Sequence, residues 1–306
     1  MDEFELIARY FSGHDDAAGV VVGVGDDGAL LEPTPGMQQI QVIDTLVEAV
    51  HFPESMQAAD VGYRAVAVNV SDIAAMGGRP RWMTLALTLS RKDESWVAGF
   101  AQGLLEAARE YGIALVGGDT TSGNAVVATV HVTGEVVPGQ ALLRSGAVPG
   151  QTVYVTGTVG DAAAGLALIQ QGAHDDFLVR RFLRPSARVA AGLALAGRAS
   201  SAIDVSDGLV GDLGKLLEAS GAGAEIDIGR LPLSDALRAR FTPSEQQRFA
   251  LTGGDDYELC FTADAESVAG VAGITPIGVV TAGSGVVCRR DGIVVDVDDK
   301  GYRHFI

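Results

Sequence analysis

Aspartates recur in this chain where short apolar or β-prone runs give way to a loop or a helix. The stretches are GVGDDGALL at 23–31, QVIDTL at 41–46, VNVSDIAAMGG at 68–78, LVGGDTTSG at 115–123, IDVSDGLVGDLG at 203–214 and LTGGDDYEL at 251–259. A buried carboxylate is costly unless it is paired or bound to a metal, so this many at the ends of strands indicates bound cations. The pattern predicts an acidic pocket that holds Mg²⁺ and, through the metal, phosphate groups.

Composition and charge narrow the class of partner. The chain has 306 residues, 47% of them hydrophobic and 20% charged, which is enough apolar material for one large α/β unit or two ordinary domains. Its formal net charge of −17 argues against nucleic acid or an anionic membrane surface as the main partner. An anionic substrate would be repelled unless metal ions reversed the local sign of the charge.

The N-terminal sequence, the apolar runs and the cysteines together predict where in the cell the protein is found. The N-terminal sequence MDEFELIARYF is acidic and amphipathic, unlike a secretory leader, and no apolar run approaches the roughly 18 residues that a membrane span needs. Cys260 and Cys288 each lie in a strand-like run, which predicts buried thiols and not a disulfide framework. We therefore expect a reduced, cytoplasmic protein.

The periodicity of apolar residues predicts an α/β (α+β) protein of two domains. In the first half it indicates helices over 2–11, 60–76 and 94–111, and strands over 39–43, 113–116 and 126–137. A strand over 66–70 is the alternative to the second helix, and Pro80 is interpreted as a stop beyond that helix. The prolines and glycines that follow indicate a domain boundary, with an N-terminal domain at 1–138 and a C-terminal αβ domain at 149–306.

The C-terminal half reads as a second αβ series. Strands are predicted over 152–156, 202–205 and 224–228, helices over 161–171, 186–197 and 209–219, and closing strands near 258–262, 286–290 and 293–297. The two halves share one spelling, VNVSD at 68–72 and IDVSD at 203–207, which suggests an internal duplication on the strength of one short match.

The IDVSDG stretch could form an oxygen-rich site. If 203–206 is a strand, Asp204 and Ser206 point to one face, and Asp207 then begins a turn. Two carboxylates flanking a hydroxyl suit Mg²⁺ and phosphate. The structural alternative is that Ser206 or Asp207 only caps a helix that starts near Leu209.

The other aspartates carry the same ambiguity. Asp72 could cap or solvate a helix, and Asp26, Asp27 and Asp119 lie beside glycines, where a plain turn is the common explanation. Asp44 terminates a clean strand and is followed by threonine, which makes a turn explanation weaker. Taken together, the six stretches favour a metal cluster over unrelated structural roles.

Several known motifs for nucleotide binding and for nucleophilic catalysis are missing from the sequence. It has no G-x-x-x-x-G-K-[ST] loop, no H-R-D catalytic loop and no G-x-S-x-G elbow, so any use of ATP depends on carboxylates and Mg²⁺. His51 reads most simply as a packed, hydrogen-bonded histidine. Arg144 reads as a surface residue unless it lies near a phosphate, which its guanidinium would then bind in a bidentate manner.

The ordered set of motifs resembles the thiamine-monophosphate kinases, a family in the superfamily of aminoimidazole ribonucleotide synthetase and selenophosphate synthetase. The resemblance covers nearly the whole chain and is carried by EFELIARYF, GDDGALL, VNVSDIAAMG, GGDTT, RSGAVPG, YVTGTVGDAAAGLAL, FLRPSARV, AIDVSDGL, GGDDYELCF and KGYRHF. It implies transfer of the γ-phosphoryl group of ATP to thiamine monophosphate, giving thiamine diphosphate with the help of several Mg²⁺ ions. It also implies a synthetase-like fold whose N-terminal mixed sheet forms a homodimer interface.

The resemblance also assigns residues. By motif, the residues that look like Mg²⁺ ligands are Asp27, Asp44, Asp72, Asp119, Asp204 and Asp207, with Asp72 and Asp207 as the main catalytic candidates. Those that look like nucleotide contacts are Gly118, Asp119, Arg144 and Ser206, and those that look like contacts to thiamine monophosphate are His51, Asp255 and Tyr302. No nucleophile is evident, so direct in-line transfer without a phosphoenzyme is the expected mechanism.

Two positions depart from the family pattern. Val42 and Ile43 precede Asp44 where the family usually has a serine or threonine, so one side-chain oxygen for a metal is missing. Asp255 stands where glutamate is common, one methylene shorter.

Three rival readings belong to the same superfamily and one does not. A selenophosphate synthetase needs a reactive cysteine near the N-terminus, and a hydrogenase-maturation dehydratase needs one at the C-terminus; the sequence has neither. Aminoimidazole ribonucleotide synthetase is the third. A non-catalytic acidic metal-binding protein is the alternative of a different class.

Overall fold

The computed structural model describes residues 3–90 and 93–297, and this part of the chain falls into two compact units. The first comprises the described residues of Met1–Ile73 and Gly78–Pro138. The second comprises the described residues of Gly139–Ile306 together with the short segment Ala74–Gly77 at the end of a long helix. Each unit is built around its own sheet.

The first unit places helices on a mixed sheet. Its elements are α1 (Glu3–Tyr10), β1 (Val20–Val22), β2 (Leu30–Leu31), β3 (Gln38–Val47), α2 (Ala58–Ala75), β4 (Arg79–Leu89), α3 (Glu94–Tyr111), β5 (Ala114–Ser122) and β6 (Val127–Val136). The main sheet has the order β3-β6-β4-β5, in which only the β4–β5 pair is parallel. β1 and β2 form a separate antiparallel pair. The mixed sheet and the α/β class are as the sequence predicts.

Local signals fix the ends of α3. The Asp93 side chain accepts hydrogen bonds from the backbone N–H groups of Ser95 and Trp96, so it caps the first turn. Gly112 ends the helix in the left-handed region at φ 67°, where glycine is favoured. Because both signals lie within a few residues of the helix, its predicted bounds agree with the structure.

Three details of the first unit correct the predictions. Pro80, interpreted as a stop, lies inside β4 beside an irregularity in the β4–β6 register, where a strand tolerates proline. Asp44 does not end its strand, because β3 continues to Val47 in register with β6. β5 likewise runs on through Asp119 to Ser122 alongside β4, so no turn forms there.

The second unit packs helices on a larger sheet. Its elements are β7 (Thr152–Thr156), α4 (Asp161–Gln170), α5 (Asp176–Leu183), α6 (Val189–Leu195), β8 (Ser201–Asp204), α7 (Leu209–Ser220), β9 (Gly223–Asp227), α8 (Asp235–Arg240), α9 (Pro243–Thr252), β10 (Leu259–Ala263), β11 (Ile274–Thr281), β12 (Gly285–Arg290) and β13 (Ile293–Val295). The strand order is β13-β12-β9-β11-β7-β10-β8, and only β9 and β12 pair in parallel. Buried residues of α7, including Leu213 and Leu217, share one apolar core with Val153, Ile203 and Ile226 of the sheet.

The structure locates the two cysteines and the two segments, VNVSD and IDVSD, that have similar sequences. Cys260 and Cys288 are free and buried, as predicted, and burial raises the pKa of the Cys288 thiol to about 11. The VNVSD segment lies within α2, whereas IDVSD runs from β8 into a turn, so the shared spelling is not a repeated structural element. In the described part of the chain, no helix has both the length and the apolar character to cross a membrane.

Candidate active site

The turn after β8 is built around a buried carboxylate that the sequence analysis missed. Asp212, in the first turn of α7, is 1% exposed. Its Oδ2 accepts three consecutive backbone N–H groups, from Ser206 at 3.0 Å, Asp207 at 2.9 Å and Gly208 at 3.1 Å. Gly208 has φ 120°, a conformation that favours glycine. The start of α7 has no side-chain cap hydrogen bond, so neither Ser206 nor Asp207 has the capping role considered for it; Asp212 instead binds the N–H groups that lead into the helix.

A lysine links this carboxylate to the proposed ligand Asp207. Lys215 Nζ donates to Asp212 Oδ1 at 2.8 Å and to Asp207 Oδ2 at 2.5 Å. Burial opposes its charge, but these hydrogen bonds raise the pKa of Lys215, while burial raises the pKa of Asp212. The side chain of Asp207 is 34% exposed, so it borders solvent while holding a cationic partner.

Asp204 lies at the end of β8, as predicted, and is 5% exposed. It is in register with Leu259 of β10, and the next residue, Val205, donates its N–H to the Glu258 carbonyl at 2.8 Å. The backbone therefore carries Asp204, Ser206 and Asp207 within a few residues of each other. Their carboxylate and hydroxyl oxygens are the hard donors that suit Mg²⁺.

The GGDDYEL segment is hydrogen-bonded directly to this turn. Asp255 N–H donates to the Ser206 carbonyl at 2.8 Å, and Tyr257 N–H donates to the Val205 carbonyl at 2.9 Å. Asp255 and Tyr257 both have positive φ, 70° and 52°, which is uncommon for residues other than glycine. A Cβ on Gly254 would lie 2.4 Å from the Ser206 carbonyl oxygen, so this close approach requires glycine. The structure thus brings Asp255 together with Ser206.

Buried charges hold the strained segment in place. Glu258 is fully buried and receives hydrogen bonds from Arg181 at 3.0 Å, from Arg188 through Nε at 2.6 Å and again through its Nη2, and from Thr156 at 2.6 Å. The Arg181 guanidinium also donates to the Asp256 carbonyl at 3.0 Å. One carboxylate therefore pairs with two arginines that lie far away in sequence. The sequence gives no local signal for this network.

The carboxylate of Asp256 meets the start of α4. It accepts the N–H groups of Gly160 at 2.6 Å and Ala162 at 3.2 Å, so it caps that helix from a distant part of the chain. Burial raises the pKa of Asp256 to about 8 against the effect of these hydrogen bonds. Burial also raises the pKa of the neighbouring Asp161.

In the first unit, the proposed metal ligands occupy different kinds of local structure. Asp27 is exposed in the loop after β1, Asp44 is half-buried within β3, Asp72 is half-buried within α2, and Asp119 is exposed within β5. A Cβ on Gly118 would lie 2.0 Å from the Leu85 carbonyl oxygen, which explains the glycine at that position of β5.

His51 and Arg144 each take part in a hydrogen bond that involves the backbone. His51 Nδ1 accepts the Val47 N–H at 3.0 Å, which leaves the proton of the neutral ring on Nε2. The Arg144 carbonyl accepts from Ser220 Oγ at 3.0 Å, at the C-terminal end of α7. Since α7 has 12 residues, that contact is roughly 18 Å along the helix from the Ser206 turn. Within the second unit, Arg144 and Ser206 are therefore anchored at opposite ends of α7.

No preformed metal cluster occurs in residues 3–90 and 93–297, where no group of three or more His, Cys, Asp or Glu side chains could hold an ion. The metal cluster that the six aspartate stretches favour is therefore not found as a preformed group within these residues. Tyr302, the remaining predicted contact, lies outside the described residues.

Comparison with known proteins identifies the family. Residues 25–136 match the family model "AIR synthase related protein, N-terminal domain", and residues 148–291 match "AIR synthase related protein, C-terminal domain". The thiamine-monophosphate kinase of Escherichia coli (strain K12) is 48% identical over 99% of this chain and 98% of its own length. The chain belongs to the thiamine-monophosphate kinase family.

Solved structures of the thiamine-monophosphate kinase family agree with the fold. The enzyme from Stenotrophomonas maltophilia K279a has a TM-score of 0.88 at 42% identity, covering 96% of this chain and 98% of that one. The structure of AaThiL complexed with AMPPCP and TMP has a TM-score of 0.82 at 35% identity, covering 92% of each chain.

Proposed function

We propose that this chain transfers the γ-phosphoryl group of ATP to thiamine monophosphate, forming ADP and thiamine diphosphate. The observation that carries the proposal is the full-length identity of 48% to a thiamine-monophosphate kinase. A relative in the same family binds AMPPCP and TMP together. In this chain the Asp255 segment is joined by hydrogen bonds to the Ser206 turn, which supports our proposal that Asp255 contacts the acceptor and Ser206 the nucleotide.

Mg²⁺ is the cation we propose for the reaction. In the second unit Asp204 and Asp207 are the proposed ligands, and in the first unit Asp27, Asp44, Asp72 and Asp119. When bound, Mg²⁺ offsets the repulsion between two anionic phosphates, which for unit charges at 4 Å is about 4 kcal/mol at an effective dielectric near 20. Ser206, Gly118, Asp119 and Arg144 are the proposed nucleotide contacts, and His51, Asp255 and Tyr302 the proposed contacts to thiamine monophosphate.

The acceptor is already ionised, so the chain does not need a strong general base. Its residues have to bind, orient and exclude water from the two phosphates so that the oxygen of one attacks the γ-phosphorus of the other in line. We propose direct transfer without a phosphoenzyme. A stable phosphorylated protein, isolated after incubation with ATP and Mg²⁺ alone, would contradict this mechanism.

We propose a homodimer formed through the sheet of the first unit. The α2 side of the sheet is covered, because Ile73 packs against Gly134 of β6. On the edge strand β3, Ile43 is 64% exposed, so it presents a large apolar side chain to solvent. Thr45 lies next along the strand on the same face and hydrogen-bonds Thr129. A dimer in solution that Ile43→Asp converts to a monomer, measured by light scattering, is the expected result, and an unchanged dimer would place the interface elsewhere.

The domain limits 1–138 and 149–306 and a cytoplasmic location also belong to this proposal. The free, buried state of both cysteines suits a reducing compartment.

The decisive experiment measures ADP and thiamine diphosphate formed from ATP, Mg²⁺ and thiamine monophosphate. Thiamine and the precursor of aminoimidazole ribonucleotide serve as parallel acceptors. We expect product with thiamine monophosphate alone. Turnover of the aminoimidazole precursor instead would move the acceptor to that synthetase. An absence of ATP-dependent protection against thermal unfolding would indicate a metal-binding protein that does not use nucleotide.

A further inference from the structure

The three backbone N–H groups that lead into α7 are occupied by the chain's own carboxylate. Consecutive backbone N–H groups before a helix commonly form a concave site for an anion. Here the N–H groups of Ser206, Asp207 and Gly208 all donate to one oxygen of Asp212, which is 1% exposed. A nucleotide phosphate would have to displace that buried carboxylate to use these donors.

The same carboxylate controls where Asp207 points. Asp212 Oδ2 fixes the backbone of residues 206–208, and Asp212 Oδ1 holds Lys215. Lys215 in turn holds Asp207 Oδ2 at 2.5 Å. The backbone and the side chain of Asp207 are therefore both set by Asp212, one directly and the other through the lysine.

We propose that Asp212 is a positioning residue for the kinase reaction: by occupying the backbone donors of the Ser206–Gly208 turn and anchoring Lys215, it orients Ser206 and Asp207 toward nucleotide-bound Mg²⁺. This inference rests on the proposed function. In this arrangement the N–H groups of the turn donate to the carboxylate of Asp212 and not to the nucleotide. Contact with the triphosphate is left to the Ser206 hydroxyl and, through the cation, to Asp207.

Asp212→Asn tests the role of the charge at nearly constant volume. An amide has one acceptor oxygen where the carboxylate has two, so its NH₂ group would face either the three backbone donors or the Lys215 ammonium, which are donors themselves. We expect calorimetric binding of Mg²⁺–AMPPCP to weaken about tenfold, as for the loss of a hydrogen bond to a charged group. The KM for ATP should rise and the KM for thiamine monophosphate should change less. Asp212→Glu, which keeps the charge, should recover part of the affinity.

Glu218→Gln is the matched control, because Glu218 is an exposed carboxylate on the same helix. It should bind Mg²⁺–AMPPCP with unchanged affinity. Asp212→Asn that lowers only the melting temperature and keeps the affinity of the parent protein would reduce Asp212 to a structural cap and overturn the proposal.

Lys215→Met keeps the test decisive if the Asp212 variants do not fold, because the Lys215 side chain is 44% exposed and its loss is tolerable. We expect it to weaken Mg²⁺–AMPPCP binding severalfold, and unchanged binding would contradict the proposal. The calorimetry needs no turnover, so the two proposals can fail separately. A parent protein that binds Mg²⁺–AMPPCP but does not phosphorylate thiamine monophosphate refutes only the function. A parent protein that does not bind it overturns the positioning role as well.

Discussion

Two segments with nearly the same spelling adopt different structures in this protein. VNVSD at 68–72 lies inside helix α2, whereas IDVSD at 203–207 runs from strand β8 into the turn before α7. Both alternate apolar and polar residues, which by itself favours a strand. In α2 this signal fails because residues 61–71 are all buried, so the pattern does not separate a core face from a solvent face.

The difference shows that neighbours decide the structure of such a segment. The alanine-rich sequence AADVGYRAVAVNVSDIAA favours one continuous helix. IDVSD instead has a partner strand, β10, on one side and Gly208 directly after it. In the first case the aspartate lies on a helix, and in the second it lies in a turn fixed by the nearby Asp212 side chain and by a backbone hydrogen bond from the distant Asp255.

The largest expected effect comes from the two matched aspartates, Asp72 in the helix and Asp207 in the turn. If both bind Mg²⁺, replacing either with asparagine should lower turnover by about a hundredfold or more, since charge stabilisation is lost and the fold is kept. Steady-state kinetics at saturating Mg²⁺, with circular dichroism as the folding control, measure this. Near-normal turnover in one variant would show that the two positions share a spelling and not a role.

Glu258→Gln tests the buried ion-pair network beside β10, which is the partner strand of the IDVSD segment. It leaves Arg181 and Arg188 without their buried carboxylate, so we expect a loss of about 3–5 kcal/mol in the free energy of unfolding. Urea denaturation measures the loss. Glu225→Gln is the control, because its ion pair with Arg289 is more than a third exposed and screened by solvent, so its loss should change the free energy of unfolding little. Equal effects would mean that burial of the network contributes little.

Asp256 makes the stability of the protein sensitive to pH in the region beside the IDVSD segment. Its pKa is raised to about 8 in the folded protein, against an ordinary value of 3.8, so the folded state retains a proton that the unfolded state releases. Its contribution to stability is therefore complete below about pH 4 and is lost as the pH rises toward 8. Relative to Asp256→Asn, the parent protein should lose stability across this range. A constant difference between the two denaturation profiles would show that Asp256 is ionised throughout.

The smallest expected effects come from two glycines, one in α2, which contains VNVSD, and one in α7, which follows IDVSD. A Cβ on Gly62 in α2 would lie 2.0 Å from the Phe100 carbonyl oxygen, whereas a Cβ on Gly214 in α7 would meet no atom within 4 Å. We expect Gly62→Ala to cost about 1–3 kcal/mol through overpacking, and Gly214→Ala to stabilise α7 by about 0.5–1 kcal/mol. Thermal unfolding distinguishes the two. Stabilisation by Gly62→Ala would mean that α2 and α3 can separate without cost.

Much of the fold follows from local sequence. The ends of α3 are set by Asp93 and Gly112, and their signals act over one helical turn. β4 was missed because Pro80 usually ends an element, and only the register with β6 shows that a strand accommodates it. Asp44 and Asp119 were placed at strand ends for a similar reason, since the length of a strand depends on how far its partner continues.

The sequence by itself determined the family, the motifs and the residues offered for Mg²⁺ and phosphate, because these depend on residue type and order along the chain. The tertiary structure decided how those residues are held. Asp212 became the centre of the Ser206 turn, and Glu258 became the partner of two arginines at least 70 residues away. Buried charges must find partners wherever the fold places them, and that pairing is set by packing and not by position in the sequence.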